Sequence, residues 1–153
     1  MSKTILSICL NEWMSSMPNR QLLKDELIRD EGLKLKPYRC TAGKLTIGVG
    51  RNLDDVGITA SEAMMLLDHD IERVLAQLNM HLPWWHKLSE NRARVLINMA
   101  FNLGIDGLLK FKNTLTLIQA EKYQDAAKEM LNSKWAQQTG NRARRLAKMM
   151  EEG

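Results

Sequence analysis

The stretch Asp30-Glu31-Gly32-Leu33-Lys34-Leu35-Lys36-Pro37-Tyr38-Arg39-Cys40-Thr41-Ala42-Gly43-Lys44-Leu45-Thr46-Ile47-Gly48-Val49-Gly50 decides the fold, because the pattern on both of its sides is helical and the pattern inside it is not. Upstream, Leu23, Leu27 and Ile28 form an apolar stripe at helical spacing over about Pro18 to Glu31, and Gly32 supplies the stop. Inside, Pro37 argues against helix, Thr41-Ala42-Gly43 reads as a three-residue hairpin loop, and Leu45, Ile47 and Val49 alternate as strand residues do. With that loop, Cys40 pairs with Lys44 and Tyr38 with Thr46. Cys40, Thr46, Gly48 and Gly50 then share one face of the ribbon, and Leu45, Ile47 and Val49 form the other, packed face. A face reduced to one thiol, one hydroxyl and two glycines leaves room for a ligand at the backbone. The same glycines read equally well as bulges or bends, and Cys40 as a small packed hydrophobe.

Downstream the helical period returns. Thr59-Ala60-Ser61-Glu62 has the form of a capping box, and Met64, Leu67, Ile71, Leu75 and Leu78 follow at spacings of three and four. Pro83 ends that run. Ser89 is placed to cap a helix through Leu103 that Gly104 closes, and its apolar positions run nearly all the way round, which suits the middle of a helical lobe. Shorter helical patterns near Thr114 to Ala120, Tyr123 to Leu131 and Arg142 to Glu151 make the second half all α, so the fold class is α+β and mostly α.

Composition sets the bounds. A chain of 153 residues with 44% hydrophobic residues can bury one sizeable core. Ten Met against two Phe and two Tyr suggest gap-filling between helices. A net charge of +4 suits any anionic partner and selects none. Cys9 and Cys40 make neither a metal-ligand spacing nor a disulfide framework, and His69, His81 and His86 show no i,i+4 pairing, so no metal is expected. The apolar run Ile5 to Leu10 is too short to span a bilayer and lacks a cleavage pattern; residues 1–20 read as an N-terminal extension.

Glu31 lies four residues after Leu27 and eight after Leu23, so it continues the apolar stripe, which the periodicity predicts to be buried. It also sits in the last helical turn, where the dipole disfavours negative charge. Both effects favour the protonated form that a general acid needs. Taken alone, a helix-end Glu is ordinarily solvated surface.

The segment quoted above closely resembles the catalytic region of phage lysozymes of the T-even type, glycoside hydrolase family 24, with the spacing Glu31, eight residues, Cys40, five residues, Thr46. Three further stretches agree in order: Leu96-Ile97-Asn98-Met99-Ala100-Phe101-Asn102-Leu103-Gly104, then Phe111-Lys112-Asn113-Thr114-Leu115, then Ser133-Lys134-Trp135 through Thr139-Gly140-Asn141-Arg142-Ala143. The resemblance covers about Gln21 to the C-terminus. It implies a lysozyme-like catalytic domain over 21–153, with a small hairpin lobe (21–58), a connecting helix (59–80), a helical lobe (81–153) and an active-site cleft between the lobes. It also implies hydrolysis of the β-1,4 bond between N-acetylmuramic acid and N-acetylglucosamine in peptidoglycan.

Carried over position by position, the resemblance makes Glu31 the general acid and Thr46 a cleft residue beside the attacking water. Asn102 falls where the family places a polar cleft residue. Arg142 matches the arginine that approaches the catalytic glutamate in related enzymes, where a cation would counter the upward pKa shift of Glu31. Gly50, on the open face of the ribbon, is the remaining candidate for substrate contact. At Cys40 this chain departs from the T-even aspartate, although the family also has members with cysteine there. A thiol with a pKa near about 8.5 is mostly neutral at pH 7 unless a cation lowers it, so Cys40 either orients water or attacks the anomeric carbon. Asp54 and Asp55 read as a turn with Gly57 in preference to a substitute carboxylate, and Trp84-Trp85 as packing in preference to a sugar platform.

The implied partner is the peptidoglycan glycan strand, met by a monomer, with no nucleic acid and no cofactor, since proton transfer and water attack need only side chains. The basic helix with Arg142, Arg144, Arg145 and Lys148 is the candidate for contact with a membrane surface. A phage enzyme of this kind is expected to accumulate in the host cytoplasm and reach the periplasmic wall through a holin pore. The alternatives are a lytic transglycosylase acting on the same bond and a binding protein without catalysis.

Overall fold

The computed structural model describes residues 19–153. The run Ile5 to Leu10, Cys9 and most of the N-terminal extension lie outside the described residues. The chain divides into two compact units, Met1–Ala60 and Ser61–Gly153.

In the first unit, helix α1 spans Arg20–Glu31. Asn19 caps it, its side-chain oxygen accepting from the N–H groups of Gln21 and Leu22. Gly32 ends it by donating its N–H to the Ile28 carbonyl at 2.8 Å. Three antiparallel strands follow in the order β1 (Lys34–Arg39), β2 (Leu45–Gly48) and β3 (Arg51–Asn52). The expected register holds: Tyr38 pairs with Thr46, and the Cys40 N–H donates to the Lys44 carbonyl at 3.0 Å across the Thr41–Gly43 loop. A bulge lies between Lys34 and Tyr38.

The sheet differs from the sequence expectation in two respects. Leu45–Gly50 is not one alternating strand, because Gly48 and Gly50 both take φ of +69° and turn the chain into β3, where Thr46 pairs with Asn52 and Ile47 with Arg51. The better buried position is Thr46, at 4% exposure, while Leu45 and Ile47 are half-buried and Val49 is exposed. The cause is position: β2 is the central strand, and Thr46 is flanked on both sides by paired neighbours.

The apolar stripe of α1 is also exposed, with Leu23 at 41%, Leu27 at 45% and Ile28 at 42%. No residue of α1 is buried, so the burial that the spacing predicted for this stripe is absent. One helix and three short strands offer little apolar surface of their own to pack against it.

The second unit is helical: α2 (Ala60–His81), a 3₁₀ turn (Pro83–Lys87), α3 (Glu90–Leu109), α4 (Lys112–Gln119), α5 (Tyr123–Leu131), α6 (Lys134–Thr139) and α7 (Asn141–Glu152). Ser89 caps α3 by accepting from the Arg92 N–H. Gly104, at φ 72° and ψ 161°, interrupts α3 where the sequence places its end, and a further helical stretch begins directly beyond it. The core joins Val74 and Leu78 of α2, Val95, Leu96 and Met99 of α3, Ile118 of α4, Met130 of α5, Trp135 of α6, and Leu146 and Met150 of α7. α7 packs against α3, α5 and α6. Its C-terminal carbonyls at Met150 and Glu151 accept from the Arg92 guanidinium, which also covers the Tyr123 ring at 3.5 Å. Met99, Met130 and Met150 fill the core, whereas Met64, Met65 and Met80 are exposed. The Trp84–Trp85 pair packs against this core, with the Trp85 indole N–H donating to Asn79 at 2.9 Å.

Among the described residues no helix is long and apolar enough to cross a membrane, and no group of three or more His, Cys, Asp or Glu side chains is placed to hold a metal ion.

Candidate active site

Glu31 is the last residue of α1, so its carboxylate lies at the negative end of the helix, as the sequence reading required. Its side chain is exposed, so the burial expected from the stripe is absent. What fixes its surroundings is Gly50. A Cβ added to that glycine would stand 3.2 Å from Glu31 Oε2 and 3.5 Å from Cδ. The turn between β2 and β3 thus lays bare backbone against the carboxylate, at a φ of +69° that an L side chain rarely adopts. Gly50 meets Glu31 through this turn and not as a member of a strand face.

Cys40 and Thr46 come together across the first hairpin. The Cys40 thiol is half-buried and free. Its pKa is lowered, chiefly by the backbone N–H of Lys44 and then by that of Ala42; partial desolvation opposes this, and the Thr46 hydroxyl adds to the lowering. The tight Thr41–Gly43 loop, closed by the Gly43 N–H on the Cys40 carbonyl at 2.8 Å, is what turns these donors toward the sulfur. The cause is therefore backbone dipoles and not the cation that sequence reasoning invoked. The Thr46 hydroxyl also donates to the Lys44 carbonyl at 3.0 Å.

Asp54 and Asp55 are occupied by the turn. Asp54 accepts the Leu45 N–H at 2.8 Å. Asp55 accepts from Lys44 Nζ at 2.9 Å and from the Asn52 amide at 2.8 Å, while its own N–H donates to Asn52 at 3.0 Å. Both carboxylates hold the second hairpin together, in line with the turn reading.

Asn102 and Arg142 belong to the second unit. Arg142 Nε donates to Asn98 Oδ1 at 2.9 Å. Arg142 and Asn98 line a cavity of about 380 Å³ with Leu67, Ile71, Arg94, Ile97 and Phe101. Asn102, on α3, is exposed, and its Oδ1 accepts the Trp135 indole N–H at 2.8 Å. A second cavity, of about 300 Å³, is lined by Phe111, Thr114, Asn132 and Ser133. Sequence reasoning missed both Asn98 as the anchor of Arg142 and Trp135 as the anchor of Asn102. The available signal was that all four residues fall within the matched stretches and that an indole N–H needs an acceptor when buried.

The phage lysozyme family model matches residues 29–151. A probable T4-type lysozyme of Dictyostelium discoideum is 35% identical, over 86% of this chain and 94% of its own length. An endolysin of Acyrthosiphon pisum secondary endosymbiont phage 1 is 32% identical, over 74% of this chain and 78% of its own. The pre-baseplate central spike protein of Enterobacteria phage T4 is 31% identical, over 89% of this chain but only 28% of its own. With the small antiparallel sheet and the helical unit both in place, this chain belongs to the phage lysozyme family and is a peptidoglycan-lytic enzyme.

Proposed function

We propose that the chain hydrolyses the β-1,4 bond between N-acetylmuramic acid and N-acetylglucosamine, and that it serves a phage as the endolysin that lyses the host. The observation that carries this reading is the Glu31 carboxylate held against the bare backbone of Gly50 at the end of α1. Glu31 donates its proton to the glycosidic oxygen as the C–O bond breaks. A water on the other side of the sugar adds its oxygen to the anomeric carbon and gives up its proton to the Cys40 thiolate, which passes it to solvent. Cys40, with donors aimed at its sulfur, is the group that orients this water as a thiolate, and Thr46 keeps the sulfur in place. Attack from the face opposite the leaving group inverts the anomeric configuration. Asn102 and Arg142 contribute substrate contacts from the helical unit. The enzyme acts as a monomer, held in the host cytoplasm until a holin pore admits it to the periplasmic wall. The basic face of α7 meets the membrane surface.

Clearing of a suspension of purified peptidoglycan tests the reading. The native chain clears it and folded Glu31→Gln does not. Clearing by Glu31→Gln at the native rate would overturn it. The configuration of the first-formed reducing end tests the role of Cys40: inversion is expected, and retention would mean that a covalent intermediate forms.

A further inference from the structure

We infer that Trp135 is a positioning residue for substrate binding, which orients the Asn102 amide so that its NH2 group, and not its oxygen, meets the glycan strand. This rests on the proposal that Asn102 contacts substrate. An indole nitrogen only donates, so the 2.8 Å bond from Trp135 Nε1 identifies the Asn102 atom it meets as the carbonyl oxygen. The two N–H donors on the other arm of the amide are then left to the surface, where Asn102 is exposed. Rotating the amide by half a turn would set NH2 against the indole N–H, donor against donor, with one buried partner unable to move to water.

Trp135 is itself held still. It is 4% exposed and lies edge-on to Phe111, with ring centroids 6.0 Å apart and planes at 89°. It also sits in the first turn of α6. The Ser133 hydroxyl fixes that turn by accepting the Ala136 N–H at 3.0 Å and donating to the Met130 carbonyl at 2.6 Å. The orientation of an exposed amide is therefore set by the buried core. A fixed pair of donors reads amide carbonyl oxygens. The glycan strand carries these in the acetamido groups of its sugars, and the peptide stems carry them in their backbone.

The test is steady-state hydrolysis of peptidoglycan by the full chain and by Asn102→Ala, Asn102→Asp, Trp135→Phe and the Asn102→Ala/Trp135→Phe pair. Asn102→Ala is expected to raise the apparent KM about three- to tenfold with kcat within about twofold, the worth of one or two hydrogen bonds. Asn102→Asp keeps an oxygen for the indole but has no NH2, and is expected to raise KM at least as much. Trp135→Phe keeps the ring and removes the N–H, and is expected to raise KM in the native background but not in the Asn102→Ala background. A packing defect alone would act equally in both.

Native KM in Asn102→Ala means that Asn102 does not contact substrate, and the underlying reading fails. A raised KM in Asn102→Ala with native KM in Asn102→Asp or in Trp135→Phe overturns the inference itself. Should Trp135→Phe fail to fold, Asn102→Asp against Asn102→Ala decides. Repeating the Asn102→Asp comparison on glycan strands stripped of stems separates the two carbonyl sources: a KM shift that survives places the carbonyl on a sugar, and one that vanishes places it on a stem.

Discussion

The Glu31 carboxylate lies over Gly50 so closely that a Cβ on the glycine would stand 3.2 Å from Oε2. Gly50→Ala must meet this contact and also hold an L residue at a φ of +69°. The left-handed backbone costs about 1–2 kcal/mol. The carboxylate, as the end of a flexible side chain, moves aside by a few tenths of an ångström, and a shift of a proton donor on this scale lowers kcat by roughly tenfold. A thermal melt together with a clearing assay checks both effects. Full activity in Gly50→Ala would show that the contact does not position the acid.

Cys40 titrates below an ordinary thiol because backbone N–H groups of Lys44 and Ala42 favour its thiolate. Iodoacetamide is therefore expected to react with it with a pH midpoint below that of a cysteine in an unfolded peptide. Thr46→Val, which removes one donor, is expected to raise that midpoint. The folded pKa is the lower one, so the thiolate stabilises the fold in full above the unfolded value, and this contribution is lost as pH falls through the folded value. Activity is expected to rise with pH through the same midpoint, and Cys40→Ala to lack that rise. An alkylation midpoint at or above that of the unfolded peptide would contradict the assignment.

Asp54 supports the hairpin by accepting the Leu45 N–H, and its removal is expected to affect stability and not the chemistry. Asp54→Ala leaves the Leu45 N–H without its acceptor and is expected to cost about 1 kcal/mol of stability, with kcat within about twofold of native. Asp55→Ala breaks an exposed pair with Lys44 and an amide contact, and is expected to cost less, about 0.5 kcal/mol. Denaturant melts with parallel assays distinguish this from catalysis, since a hundredfold loss of kcat in Asp54→Ala would make it a working carboxylate.

The first hairpin was legible because turn chemistry and strand alternation agree there: Thr41-Ala42-Gly43 set the loop, and the loop set the pairing of Tyr38 with Thr46. The second hairpin was hidden because Val49 continues the alternation of Leu45 and Ile47, while the positive φ of Gly48 and Gly50 leaves no mark on hydropathy. Helix α6 was too short for a period to show, although Ser133 and Gly140 mark its ends. The burial assigned to Glu31 failed for a different reason: a stripe says which face is apolar and not what lies against it. The candidate site residues were proposed from spacing and resemblance. The anchors of Asn102 and Arg142, at Trp135 and Asn98, and the approach of Gly50 to Glu31 are tertiary contacts, which a linear pattern does not contain.

The central claim is that Glu31 drives hydrolysis, and mass spectrometry of the muropeptides released from purified peptidoglycan tests it most directly. The native chain is expected to release fragments whose muramic acid ends carry one added water. Folded Glu31→Gln is expected to release at least about a hundredfold less, the lower range of what a general acid contributes. Anhydro-muramic ends from the native chain, or water-bearing fragments released by Glu31→Gln at the native rate, would contradict the account.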